Sequence, residues 1–193
     1  MILMKELIEK KIKESTLVYE KLYEYCSKDI ENTAKAIITC YKNKNTVFAF
    51  GNGGSAADAQ HIAAELVVRF YKDRPPLNAY ALTTNTSILT ACANDYTYND
   101  IFDRQVKASV KEGDIVIGIS TSGNSVNVLK ALESAKALSA ITIGLTGASG
   151  GKMNEYCDHL IKIPSTDTPR IQEGHLLSIH LICELVENTI FSG

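Results

Sequence analysis

The sequence predicts an α/β protein with three α/β/α layers around a five-stranded parallel sheet in the order 2-1-3-4-5. Three observations carry this. Five short apolar runs, Thr46–Phe50, Asn78–Leu82, Asp114–Ser120, Ala140–Thr146 and His159–Ile163, have the length and composition of buried strands. Helix-periodic stretches separate them, and parallel strands need such crossovers. Two polar, glycine-bearing loops follow the first and third runs, which are neighbours in that order, so both open on one crevice at the carboxyl ends of the sheet.

Taken in order, residues 1–43 read as a helical pair. Leu3, Leu7, Ile12, Tyr19, Leu22 and Cys26 recur at helical spacing among charges, Ser27–Asp29 marks a break, and Ile37, Ile38 and Tyr41 belong to a second helix. Two amphipathic helices ahead of the first strand need a surface, either the sheet or the same helices of another subunit. The stretch Thr46–Arg69 then organises the chain: an apolar strand, the turn G-N-G-G-S at 51–55, and a helix. Ser55 is the expected N-cap with Asp58 three residues on, which starts the helix at Ala56. Between the second and third strands, Thr86–Ala93 and Ile101–Val110 read as helices joined by the loop A-N-D-Y-T-Y-N-D. A further helix begins near Ser125, and the last opens at Pro169 behind Thr168 as cap and runs to about Ile190. No internal repeat or linker interrupts the pattern, so residues 1–193 are expected to form one domain.

Composition narrows the function. Twenty Lys and Arg against 22 Asp and Glu, with no basic block, lack the electrostatic footprint of a nucleic-acid binder, so the expected partner is small. No apolar run approaches the ~20 residues of a membrane span, and the N-terminus is charged at Lys5, Glu6, Glu9, Lys10 and Lys11, which predicts a cytoplasmic protein. The five cysteines are scattered and never form C-x-x-C, against both a disulfide framework and a thiolate zinc site. They read as small buried hydrophobes.

Several residues can carry chemistry. Gly51, Gly53 and Gly54 let backbone approach a ligand, and the helix that follows favours an anion at its N-terminus. Ser120, Thr121, Ser122 and Ser125 form a second cradle of hydroxyls at another helix start. Gly51–Ala56 also fits the dinucleotide pattern G-x-G-x-x-A. The place for a ribose-binding acid reads L-T-T-N at Leu82–Asn85, however, and a nucleotide leaves the serine loop unexplained. His61, Glu65 and Arg69 recur every four residues along one stripe, beside Ile62 and Leu66; the pair His61 and Glu65 can reach one metal ion or substrate, or form an exposed ion network with Arg69. Gln172 and His180 fall near one side of the last helix, with His175 well round from His180 and structural or exposed.

The pair F-G-N-G-G-S and G-I-S-T-S-G-N-S resembles the two phosphosugar loops of the sugar isomerase (SIS) domain. H-I-A-A-E, the A-N-D loop and R-I-Q-E-x-H with a later histidine resemble, within it, the phosphoheptose isomerases. The resemblance runs from about residue 44 to the end, and the N-terminal helices also suit the family. It implies the SIS fold, conversion of sedoheptulose 7-phosphate to D-glycero-D-manno-heptose 7-phosphate for surface polysaccharide, a homotetramer with interface sites, and one zinc ion on His61, Glu65, Gln172 and His180. It further implies phosphate binding by Ser120, Thr121, Ser122 and Ser125, with Asn52, Gly53, Gly54, Ser55, Asn94, Asp95 and Gln172 on the polyol. Glu65 is then the base at C1 and His180 an acid or base on the oxygens or in ring opening, or the two roles are reversed, and Arg69, among the substrate-binding residues, orients Glu65. Rival expectations are a non-catalytic SIS protein that binds the replication initiator, which lacks such a glutamate and last-helix histidine, and a phosphosugar sensor.

Overall fold

Each apolar run forms a strand, to within a residue at either end, in the computed structural model, which describes residues 3–192. These are β1 (Val47–Gly51), β2 (Ala79–Ala81), β3 (Ile115–Ile119), β4 (Ile141–Gly147) and β5 (His159–Ile163). All neighbours are parallel, in the order β2-β1-β3-β4-β5. Gly51 pairs with Ile119, so the loops leaving β1 and β3 start side by side.

The helices are α1 (Met4–Lys42), α2 (Gly54–Val67), α3 (Thr86–Asp95), α4 (Asp103–Ser109), α5 (Val126–Ala137), α6 (Met153–Tyr156) and α7 (Thr168–Ile190), with a 3₁₀ turn at Tyr98–Asp100. Alternate strand residues feed two cores. Ala49, Ile117, Ile119, Ile143, Leu145 and Ile161 pack with α1, α2 and α7; Phe48, Phe50 and Val116 pack on the other side with Val106, Leu132 and Met153. Burial of each large aliphatic side chain contributes about 1.5–3 kcal/mol, so this two-sided pattern fixes which face of every strand meets which layer.

The N-terminal pair is a correction. Residues 4–42 form one 39-residue helix with no break at Ser27–Asp29. Ser27 donates its hydroxyl to the Tyr23 carbonyl within the helix, Glu31 pairs with Lys28 and Lys35, and Cys26, Ile30, Ala34 and Ile37 continue one buried stripe. The polar stretch is a solvated face, not a turn. Other boundaries shift locally: α3 absorbs Asn94 and Asp95 from the expected loop, α4 starts two residues late, Asp167 takes the cap position expected of Thr168, and the one-turn α6 was not foreseen. Among the described residues no helix is long and apolar enough to cross a membrane. Cys26, Cys40, Cys92 and Cys183 are buried and all five thiols are free; burial pushes Cys40, Cys157 and Cys183 up to about 12.

Candidate active site

Helix α2 begins at Gly54, one turn past β1, with Gly53 at the cap in a left-handed conformation (φ 56°). The expected Ser55 cap is not formed. Ser55 lies inside the first turn, 4% exposed, and the helix has no side-chain cap, so its first N–H groups stay unclaimed by a local side chain. Asp58 therefore makes no capping box. Its Oδ2 is buried without a hydrogen-bond partner, and burial pushes its carboxyl up to about 6, opposed by nearby His61.

Two helices distant in sequence meet at His61. Its Nε2 lies 3.2 Å from Oε1 of Glu65, one turn on in α2, and 3.0 Å from Nε2 of His180 in α7. Glu65 and His180 are thus brought within hydrogen-bond range of one nitrogen, in a single chain. Gln172, two turns before His180, reaches Gly54: a Cβ there would stand 2.3 Å from its Nε2, so the glycine makes room for this amide. The His61 and Glu65 side chains remain 38% and 25% exposed, open to a ligand.

Arg69 does not join them. Helix α2 ends at Val67, which leaves Arg69 exposed beyond it, and Arg74 instead donates to the backbone carbonyl of Glu65 at 2.9 Å. His175 is fully buried, and neither ring nitrogen has a hydrogen-bond partner; burial holds it down to about 4, with the Thr146 backbone opposing. It is structural, the first of the two alternatives.

The second loop is bonded within itself. Ser120 Oγ lies 2.9 Å from Ser125 Oγ and 3.4 Å from Ser122 Oγ, and Ser122 Oγ accepts from the Asn124 backbone at 3.2 Å. Helix α5 begins beside Ser125 as expected, with Ser125 at the cap position; its side chain makes no cap bond, so the first N–H groups of α5 are free for an anion. Gly123 (φ 66°) is required: a Cβ would come 2.1 Å from the Gly150 carbonyl.

Asn127 and Tyr98 were missed by sequence reasoning. Asn52 and Asn127 exchange reciprocal amide hydrogen bonds, both 2.9 Å, which tie the turn after β1 to the start of α5. Tyr98 donates its hydroxyl to Asn52 Oδ1 at 3.0 Å and draws the 3₁₀ turn toward the crevice. Asn94 and Asp95 bond to each other and are exposed at the end of α3; no hydrogen bond links them to Glu65 or to either loop. A cavity of about 670 Å³ lies around Thr46, Asn78, Tyr80 and Asp114, toward the opposite end of the sheet, and touches none of these groups. Convergent chemistry, not volume, identifies the site.

Among the described residues no set of three or more His, Cys, Asp or Glu side chains is gathered as a finished metal cluster. The donor types nevertheless suit a borderline-soft cation. Two zinc-bound nitrogens at ~2.05 Å and a tetrahedral angle stand about 3.3 Å apart, close to the 3.0 Å between the two imidazoles.

The chain matches the SIS domain family over residues 12–147. It is 60% identical to phosphoheptose isomerase 2 of Campylobacter jejuni over 84% of this chain and 81% of that protein. It is 56% identical to the phosphoheptose isomerase of Aneurinibacillus thermoaerophilus over 93% and 89%. Among solved structures, phosphoheptose isomerase from Neisseria gonorrhoeae superposes with a TM-score of 0.92 at 39% identity, covering 96% of this chain and all of that one; the one from Francisella tularensis gives 0.94 at 35%, covering 97% and all. With that fold, two phosphosugar-type loops, and a carboxylate and imidazole meeting beside them, the chain belongs to the SIS domain family and, within it, to the phosphoheptose isomerases.

Proposed function

We propose that this isomerase converts D-sedoheptulose 7-phosphate to D-glycero-D-manno-heptose 7-phosphate through an enediolate, with Glu65 moving the carbon-bound proton. The product is the entry point to activated heptoses for surface polysaccharide. One observation supports the assignment above others: Glu65 and His180, 115 positions apart in sequence, both approach His61 Nε2.

A ketose becomes an aldose when a proton leaves C1 and returns at C2 while another passes from O1 to O2. Carbon gives up a proton slowly unless a base is already in place, so positioning dominates the barrier. Glu65 takes the C1 proton, the carboxyl exchanges it with solvent while the enediolate persists, and the same carboxyl then protonates C2; one of its oxygens faces His61 and the other is left for the sugar. His180 moves the oxygen-bound proton. The phosphate rests on Ser120, Thr121, Ser122 and Ser125 and on the uncapped N–H groups of α5. Asn52, Gly53, Gly54, Ser55, Asn94, Asp95 and Gln172 hold the polyol, and Arg69, which does not orient Glu65, is free to meet the substrate's outer hydroxyls.

Zinc, one ion per chain, fits His61, Glu65, Gln172 and His180 as two nitrogen and two oxygen donors. Bound there it supplies Lewis-acid polarisation of the substrate carbonyl.

The assembly we infer is a homotetramer with sites completed at subunit interfaces. Support comes from the apolar residues Leu7, Ile8, Ile12, Tyr19 and Tyr23 exposed along α1, and from a groove of about 540 Å³ between Leu22, Ile30, Leu181 and Leu185. The half-open state of His61 and Glu65 in one chain agrees with a neighbouring subunit closing the site.

Incubation with sedoheptulose 7-phosphate in deuterated water, read by NMR, tests the reaction. Aldose carrying deuterium at C2 is expected; a chain that yields neither aldose nor label contradicts it. Metal analysis tests the ion: about one zinc per chain, lost in His61→Ala, against full activity in a metal-free protein.

A further inference from the structure

The segment between α2 and β2 is held by a buried ion pair that no part of the proposed chemistry uses. Arg74 and Glu187 have side chains 2% exposed, and Arg74 Nε donates to Glu187 Oε1 at 2.9 Å. The remaining valences are filled from two directions. Glu187 accepts the backbone N–H groups of Phe70, Tyr71 and Lys72 at 2.9, 2.7 and 2.8 Å. Arg74 donates to the carbonyls of Glu65 and Leu66 at 2.9 and 2.8 Å, and to that of Pro75 at 3.1 Å. The Glu65 and Leu66 carbonyls belong to the last turn of α2, where no helical N–H reaches them.

We propose that Arg74 and Glu187 are positioning residues for the isomerase reaction, a clamp that sets Glu65 on α2 against His180 on α7. The bonds run directly to the parts that must register. One end of the clamp holds the backbone of Glu65 itself. The other end is Glu187, seven residues after His180 and so on the same side of α7. Between them, the three N–H bonds from residues 70–72 seat the Phe70 ring 5.8 Å from the His180 imidazole, against one face of its environment. Burial disfavours charge on Glu187, yet three backbone donors and Arg74 outweigh it and hold the carboxyl down to about 2, so the clamp stays ionised across the working pH range.

The phosphate cradle is carried on β3 and α5 and makes no bond to this pair. Loss of the clamp therefore disturbs the reacting groups and spares substrate anchoring. This inference rests on the reading of Glu65 and His180 as the proton-moving groups, and the experiment separates the two.

Arg74→Lys keeps a cation beside Glu187 but cannot serve both α2 carbonyls and the carboxylate at once. In the folded variant, verified by circular dichroism, kcat is expected to fall about 10- to 100-fold, the scale of a misplacement of about 1 Å, with KM within about twofold. Arg74→Ala should lose more, and added guanidinium should restore kcat saturably while methylammonium does not. An Arg74→Lys enzyme with unchanged kcat, or one whose kcat and KM worsen together, overturns the clamp. If Arg74→Ala does not fold, Arg74→Lys decides alone. Glu65→Gln is the control: if it is inactive while Arg74→Lys is fully active, only the clamp fails, whereas an active Glu65→Gln removes the base assignment and the clamp's purpose with it.

Discussion

The two sides of the crevice solve the same problem, holding polar groups ready for a sugar, by opposite means. On the β3–α5 side, Ser120–Ser125 contain no titratable group; the Ser120 hydroxyl contacts those of Ser122 and Ser125, and Asn52 and Asn127 form a neutral amide pair between the turn after β1 and α5. On the α2–α7 side, two imidazoles and a carboxylate are pressed together on top of the buried Arg74–Glu187 pair. A neutral loop bonded within itself costs little to keep waiting and, in the proposed reaction, exchanges those bonds for bonds to the substrate phosphate. A cluster of titratable groups needs an external frame, because its members compete for protons and for geometry. The comparison predicts that damage to one side appears in binding and damage to the other in turnover.

The largest effect comes from crossing that line directly. His180→Asn is expected to lower kcat by about 10²- to 10⁴-fold with KM nearly unchanged, and Ser120→Ala to raise KM by about tenfold with the smaller loss in kcat. Steady-state kinetics on both variants checks it, and equal effects on both constants would erase the distinction between the two sides.

A second prediction uses pH, because α7 carries the buried titratable groups His175 and Glu187 and the Ser120–Ser125 loop carries none. His175, buried on α7, has its folded value depressed to about 4 from 6.5. The neutral form is favoured in the fold, so its contribution to stability is complete above pH 6.5 and is lost as pH falls from 6.5 to 4, where only the unfolded chain takes up the proton. At 1.36 kcal/mol per unit this amounts to about 3 kcal/mol. Glu187, depressed to about 2 from 4.5, adds a further loss in the same direction between pH 4.5 and 2. Asp58, raised to about 6 from 3.8, works in the opposite direction over the same range, so the readout is a difference: the melting temperature of wild type relative to His175→Asn should fall as pH goes from 6.5 to 4.

The smallest effect concerns the link between the two loops. Asn127→Ala leaves the buried side of Asn52 without its partner, at a cost of about 1–3 kcal/mol, and frees the turn after β1 from α5. A several-fold rise in KM and a kcat within about threefold of wild type are expected.

What could be read from the amino acids divides along the same line. The hydroxyl loop was legible because its signals are local: one glycine, four hydroxyls and a helix start lie within six consecutive residues after a strand. Strand positions and order were legible for a similar reason, since period-two burial and crossover helices leave little choice of topology. Asn127, Tyr98, Arg74 and Glu187 were not, because their partners lie 75, 46 and 113 residues away and nothing in a single side chain names its partner. Arg69 was chosen for its helical spacing, but α2 stops before reaching it, and Arg74 meets the helix end from the loop instead. Ser27–Asp29 misled in the other direction: small polar residues start turns in isolation, while a long buried stripe overrides that preference.

The most direct test of the account is the deuterium experiment on Glu65→Gln. The variant should still bind sedoheptulose 7-phosphate, since the cradle is untouched, and should incorporate no deuterium at carbon over times in which the wild-type enzyme labels C2 completely. Deuterium entering the sugar at the wild-type rate in Glu65→Gln would show that another group removes the C1 proton and would contradict the account.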